Sequence, residues 1–328
     1  MSERPPFIDQ LQAKWNQGKF VCVGLDPDVA RLPDHIRGKS VPYMGNAGKD
    51  FIKFTKGIID ATADLVCAYK PNSAFFERLG NGEGEAALEE IIDYIHSKYS
   101  DTPVIGDVKR ADIGNTNKGY AEMAFGRFDF DAITTNPYFG EDTYEPFLEY
   151  PGKGLFILCK TTNKGAGLYQ DAPIHLPTYQ DLQKKGGVPF NDKDYQLAVS
   201  AAIEYSGFHT STGDLHLPLY YLVALRTSIM ARENPNIGLV VGATHPEGFA
   251  PVRRLAPDLP FLIPGIGTQG GDLEKTLKYA PNSKGQGIII NSGSAILYAS
   301  SGEDFAEAAR EATLKLHNQI TELRAKNG

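Results

Sequence analysis

The chain has 328 residues, 41% hydrophobic and 22% charged, which is enough for one large domain or two ordinary ones with a sizeable core. A formal net charge of -7 and the lack of a basic tract argue against nucleic acid and anionic membranes as partners, and leave a small anionic ligand open. No apolar stretch reaches transmembrane length, and "MSERPPFIDQ" carries no apolar signal core, so a cytoplasmic protein is expected.

Short apolar, β-branched runs recur along the chain. In order they are Phe20–Asp26, Leu65–Asn72, Val104–Lys109, Ala132–Tyr138, Leu155–Asn163, Gly238–His245, Phe261–Gly267 and Gly287–Gly293. Their near-continuous hydrophobicity suits strands buried on both faces, as in a parallel sheet. The cysteines, Cys22, Cys67 and Cys159, lie inside such runs without any Cys-x-x-Cys spacing, and are read as buried thiols of a reducing compartment. Amphipathic patterns fall between the runs, among them "KDFIKFTKGIIDATAD", "GEAALEEIIDYIHSKYS", "GYAEMAFGRF", "GDLEKTLKYA" and "EDFAEAAREATLKLHNQI". Trp15, the sole tryptophan, is expected to pack an N-terminal helix against the sheet.

Eight strands alternating with helices predict an α/β fold of the (β/α)8 TIM-barrel type. A dinucleotide-binding open sheet would want Gly-x-Gly-x-x-Gly after the first strand, and "VGLDPD" does not supply it. Nearly every run also ends in polar residues: Asp26, Lys70, Asp107 with Lys109, Asn136, Lys160 with Thr161, Thr244, Gln269 and Asn291. Barrel enzymes put their chemistry at these carboxyl ends. The fifth and sixth runs are unusually far apart. Residues from about 165 to 236 are read as a helical insertion on the barrel rim, within a single domain spanning 1–328. The insertion has helices near Tyr195–Tyr205 and Leu217–Arg232 and loop-like stretches "GGVPFNDKD" and "SGFHTSTGD".

The stretch "VIGDVKRADIGNT" (Val104–Thr116) leaves a buried strand on a charged cluster. Asp107 and Lys109 are two apart, so strand alternation points both into the barrel mouth; Asp112 follows in the loop and Lys70 ends the neighbouring strand. Alternating charges stabilise one another and keep the lysines charged. Such an array suits a proton donor beside an electron-rich carbon, or stabilisation of a developing carbanion, and suits Schiff-base chemistry poorly. A surface ion-pair network of little energetic weight is the competing reading. "PGIGTQGG" (Pro264–Gly271) is either a plain tight turn or a phosphate-binding loop of backbone N–H groups; Gly265, Gly267, Gly270 and Gly271 would permit close approach. His245 and Glu77 are read as structural or rim groups, Lys160 as a less favoured Schiff-base candidate, and no His/Asp/Glu cluster has convincing metal spacing.

At these residues the chain resembles the orotidine 5'-phosphate decarboxylase family, in its longer, mainly bacterial branch. "DVKRADIGNT" carries that family's Asp-x-Lys-x-x-Asp signature, and "AYKPNSAFFE" its second-strand lysine motif. "VGLDPD", "TTNPYFGED", "LCKTTN", "GLVVGAT" and "IPGIGTQGG" follow the same branch in order, over roughly residues 19 to 300. Related sugar-phosphate decarboxylase barrels share the signature alone, but not the ordered set. The resemblance implies decarboxylation of orotidine 5'-monophosphate to uridine 5'-monophosphate in pyrimidine biosynthesis, without a cofactor or metal. It implies a charged array of Lys70, Asp107, Lys109 and Asp112, with Lys109 protonating C6 of the pyrimidine. Asp26 and Lys70 would bind ribose hydroxyls, Thr162 the pyrimidine edge, Asn136 the rim, and Gln269 and Gly267 the phosphate. It also implies a homodimer in which Asp112 and Thr116 serve the partner's site. A Mg-dependent sugar-phosphate decarboxylase or aldolase, and a non-catalytic nucleotide binder, are the alternatives.

One position departs from the family. Where an arginine normally grips the phosphate, this chain reads "IIINSGSAILYAS", with Gly293 and Ser294 offering N–H and hydroxyl donors but no cation. A substitute cation is one explanation, with Arg253 or a residue of the insertion as candidates; an engineered substitution and a changed ligand are the others.

Overall fold

A computed structural model describes residues 4–37, 46–176, 191–206 and 215–327. Eight parallel strands form one sheet: β1 (Val21–Leu25), β2 (Val66–Pro71), β3 (Ile105–Arg110), β4 (Ala132–Thr135), β5 (Gly154–Lys160), β8 (Ile237–Val241), β9 (Phe261–Ile263) and β10 (Ile288–Ser292). The order is β2-β1-β10-β9-β8-β5-β4-β3, and the bridges Tyr69–Val104 and Asn72–Asp107 bring β2 back to β3, so the sheet nearly closes on itself. Helices separate the strands, the longest being Ala47–Thr62, Glu83–Lys98 and Phe305–Asn327. This is the TIM-barrel arrangement the alternating pattern predicts.

The apolar runs become strands because both faces are covered. β1, β2, β4, β8 and β9 are buried at every position, whereas β3 is buried at Ile105 and Gly106 and then opens at Asp107, Lys109 and Arg110. The three thiols are free and buried, as expected. "GYAEMAFGRF" differs in detail: a helix Gly114–Ala121 runs into a π-helical turn at Glu122–Arg127.

The amino-terminal segment covers the end of the barrel where the strands begin. In the helix Phe7–Asn16, Trp15 donates its indole N–H to the Ile288 carbonyl (2.9 Å), and Lys14 pairs with Asp101 (2.7 Å). Beside it Asp131, at the start of β4, accepts from Arg4 Nε (2.9 Å), Gln10 Nε2 (3.0 Å) and the Val104 N–H (2.8 Å), and faces His96 Nε2 at 3.1 Å. With this end filled, the carboxyl ends of the strands are the open face.

Between β5 and β8 the chain forms an antiparallel hairpin, β6 (Pro173–His175) with β7 (His216–Pro218), and helices Asp192–Ser206 and Leu219–Met230. Both expected helices are present; the hairpin, three residues a side, is too short to leave an alternating pattern. The two loop-like stretches fall largely outside the described residues. Ion pairs Arg226–Glu141 and Arg232–Asp194 fasten the insertion to the barrel and to itself.

Burial disfavours a charged His96, but hydrogen bonds to Asp129 and Asp131 outweigh it, despite Arg4 nearby, and hold the imidazole above its ordinary 6.5. Its contribution to stability is therefore present below about pH 6.5 and is lost as pH rises through the raised value. Denaturant titrations across that window should show stability falling with pH, and the slope should flatten in His96→Gln; an unchanged slope would contradict this network.

Candidate active site

The site is built on a break in the β3–β4 ladder. Ile105 pairs with Ala132 and Gly106 with Ile133, but the next partner of Thr135 is Arg110, so the register shifts across Asp107–Lys109. Bulges of this kind re-aim side chains. Lys109 sits at φ +47°, a left-handed backbone uncommon for any residue but glycine, and its N–H donates to Thr134 Oγ1 at 3.0 Å. Simple alternation correctly brings Asp107 and Lys109 together, but the bulge shapes how they meet.

Asp107 is the centre of the array. Its Oδ2 accepts from Lys70 Nζ at 2.8 Å, and its Oδ1 from Lys109 Nζ at 2.5 Å and Thr134 Oγ1 at 2.9 Å. Burial pushes its carboxyl up, but Lys70 and Lys109 outweigh burial and hold it well below the ordinary carboxylate range. Burial likewise opposes charge on Lys70; Asp107 and then Asp26 overcome it and raise the ammonium above its ordinary value. A buried ion of this kind costs several kcal/mol unless paired, so the three charges hold one another in place.

Asp26, at the end of β1, shows the opposite balance. Burial pushes its carboxyl up, and Lys70 only partly offsets it. Its Oδ1 and the Oδ1 of Asn291 are buried without a hydrogen-bond partner among the described residues. Orphaned acceptors are rare in folded proteins and want donors from elsewhere. Both residues line an open cavity of about 220 Å³ together with Arg31, Gly265, Gln269, Gly293 and Ser294.

The cavity's far wall is the expected phosphate loop. Gly265 and Gly267 have φ of +102° and +101°. A Cβ on Gly265 would stand 3.0 Å from Thr162 Cγ2 and 3.3 Å from Gln269 Oε1, so glycine lets the three converge. Ser294 Oγ lies 3.1 Å from Thr268 Oγ1. Arg253 is not the substitute cation: it is buried under the starts of β9 and β10, donating to the carbonyls of Leu259 (2.7 Å), Ala280 (2.7 Å) and Gly287 (3.1 Å).

Asp112 and Thr116 stand apart. Asp112 Oδ1 accepts from the Ile113 N–H (2.7 Å), and among the described residues Asp112 forms no ion pair, so this chain does not bring it to its own Lys109. Thr116 is exposed on the following helix. Asn136 lies half-buried on the rim, its Oδ1 accepting from the Tyr138 N–H (3.3 Å). The remaining candidates have structural partners: Lys160 is buried against Asp171, His245 faces Glu247 at 3.5 Å, and Glu77 pairs with Arg110 at 2.8 Å. Sequence reasoning missed Thr134, Arg31 and Tyr298, and left Asn291 as an unassigned strand end. The polar end of β10 was the one available signal.

Fold and site together define a (β/α)8-barrel enzyme with its charged groups at the carboxyl ends of the strands. The family model described as "Orotidine 5'-phosphate decarboxylase / HUMPS family" matches residues 19–205. Orotidine 5'-phosphate decarboxylases of Ralstonia pickettii and Azoarcus sp. are 40% and 41% identical over 319 residues, each covering 97% of this chain and 99% of the relative. Among solved structures, Leishmania donovani OMP decarboxylase is 33% identical with a TM-score of 0.71, over 97% of this chain and 99% of that one. Against Leishmania donovani UMP synthase (34% identical, TM-score 0.73) the chain spans 56% of the other's length. The chain belongs to the orotidine 5'-phosphate decarboxylase family, a family of carbon–carbon lyases.

The two strand-end carboxylates should respond oppositely to neutralisation. Asp107 has a depressed value, so its stabilisation is present above about 3.8, its ordinary value, and is lost as pH falls through the folded one. Asp26 has a raised value, so its charge destabilises the fold at neutral pH. Thermal melts at pH 7 should show Asp107→Asn melting lower and Asp26→Asn melting higher than the native chain; the same direction for both would contradict the assignment.

Proposed function

We propose that the protein decarboxylates orotidine 5'-monophosphate to uridine 5'-monophosphate, with Lys109 as the proton donor. The observation that carries this reading is Asp107 held between two ammonium groups beside a cavity lined by orphaned acceptors. A nucleoside monophosphate suits those surroundings. Ribose hydroxyls would donate to Asp26, with Lys70 beside them, and to Asn291. Thr162 would meet the pyrimidine edge, with Asn136 at the rim. Gln269, Gly267, Gly293 and Ser294 would face the phosphate.

The substrate carboxylate would then lie towards Asp107. As the bond from C6 to the carboxylate breaks, carbon dioxide leaves and the electron pair stays on C6. The Lys109 ammonium stabilises that charge and delivers its proton to C6; the neutral amine regains a proton from solvent. Stabilisation arises where charge develops, which is the condition for lowering the barrier. No step calls on a cofactor or metal.

We also propose a homodimer with shared sites. The loops beside Asp112 expose Ile113 (63%), Tyr138 (89%) and Phe139 (52%), a patch of a kind that usually meets a partner. Asn117 ties these loops together, donating to the carbonyls of Asp112 (2.6 Å) and Thr143 (2.5 Å). Asp112 and Thr116 would thus reach the partner's array. In this reading residues 1–328 form one barrel domain with the insertion at about 165–236 on its rim, and three unpaired buried thiols accord with the cytoplasm.

The purified protein should convert orotidine 5'-monophosphate to uridine 5'-monophosphate and carbon dioxide at a rate unaffected by EDTA, and Lys109→Ala should lose at least about a thousandfold in kcat/KM. No turnover by folded protein, or a chelator-sensitive rate, contradicts the proposal. Mixing the inactive Lys109→Ala and Asp112→Ala variants should regenerate activity through hybrid dimers carrying one intact site; no recovery would count against shared sites.

A further inference from the structure

The family's arginine after the eighth barrel strand is Ser294 here, yet the cavity it faces does not lack a cation. Among the described residues lining that cavity, Arg31 is the one positively charged side chain. It comes from the neighbouring loop, on the 3-10 turn Val29–Arg31 after β1, the strand that pairs with β10; the turn begins where the Asp28 side chain accepts the Ala30 N–H at 3.0 Å.

The guanidinium is held by stacking. Its Cζ lies 3.6 Å from the centroid of the Tyr298 ring. That ring is itself fixed: its hydroxyl accepts from the Asp28 N–H (2.7 Å) and donates to the Asp26 carbonyl (3.1 Å), and Phe54 stacks against it at 5.9 Å and 17°. Stacking engages the guanidinium's face and leaves its N–H edge free for bidentate contact with a phosphate. The Arg31 side chain forms no hydrogen bond or ion pair among the described residues. Asp28, a carboxylate that shares the cavity lining, already pairs with Arg78 at 3.1 Å.

We propose that Arg31 is the phosphate-binding cation of this site, taking over from the adjacent loop after β1 the role that the family gives to the position of Ser294. This rests on the reading that the ligand is a nucleoside monophosphate. Gln269, the Gly293 N–H, the Ser294 hydroxyl and the Arg31 fork would together contact the phosphate. Tyr298 is a positioning residue, since it acts through the arginine.

The test compares two ligands that differ only in the phosphate. Uridine 5'-monophosphate and uridine are titrated into the native protein, Arg31→Ala, and Arg31→Ala with Ser294→Arg. A lost charge-assisted contact should weaken nucleotide binding on the order of 10- to 100-fold in Arg31→Ala and leave uridine binding unchanged. Adding Ser294→Arg should recover most of the loss. Arg31 is exposed, and thermal melting checks that each variant folds. Equal nucleotide affinity in native protein and Arg31→Ala overturns the proposal while leaving the decarboxylase reading intact. Equal weakening of both ligands also overturns it, because a structural role would do that. A native protein that binds neither ligand and does not turn over overturns the decarboxylase reading, and this one with it.

Discussion

One carboxylate bridged by two ammonium groups constrains the whole molecule. Lys70 and Asp107 are too costly to bury singly; paired with each other, and with the half-exposed Lys109 on the second oxygen of Asp107, they form a three-charge array. The array requires β2 and β3 side by side with their carboxyl ends level. The barrel supplies this through the Asn72–Asp107 bridge, and the ladder break at β3 turns Lys109 towards its partner. Strain at Lys109 is sustained because Thr134 and Asp107 hold its two ends.

Around that array the two ends of the barrel do different work. The end where strands start is sealed by apolar packing and satisfied charges: Trp15 on Ile288, Asp131 amid Arg4, Gln10 and His96, and Arg253 in a ring of carbonyls. Among the described residues, the end where strands finish leaves groups unsatisfied: the Oδ1 atoms of Asp26 and Asn291 lack donors, and the side chains of Arg31 and Asp112 form no ion pair. In the proposed function, the incomplete end is the one that a ligand and a second subunit would fill.

Much of this was legible in the chain, for identifiable reasons. Strands buried on both faces leave continuous apolar runs, so the eight barrel strands could be read off directly. Lys70, Asp107 and Lys109 end such runs, where charge is conspicuous. Arg31 was hidden because its partner, Tyr298, is at the far end of the chain, and nothing in "DVARLP" marks a cation–π stack. Arg253 looked eligible only because burial is invisible in a lone arginine. Thr134 was silent because a threonine in an apolar run reads as an ordinary strand residue. The alternation rule placed Lys109 on the right face, but it could not show the left-handed backbone that the bulge imposes.

The central claim is that the Lys109 ammonium meets a carbanion at C6. Protonation at that carbon must be reversible on the enzyme, whatever the fate of carbon dioxide. Proton NMR of uridine 5'-monophosphate incubated with the protein in deuterium oxide tests this directly. The account predicts that the C6 proton exchanges for deuterium with the native protein and that exchange falls to background with Lys109→Ala. Exchange undiminished in the variant, or absent with native protein that binds the nucleotide, would contradict it.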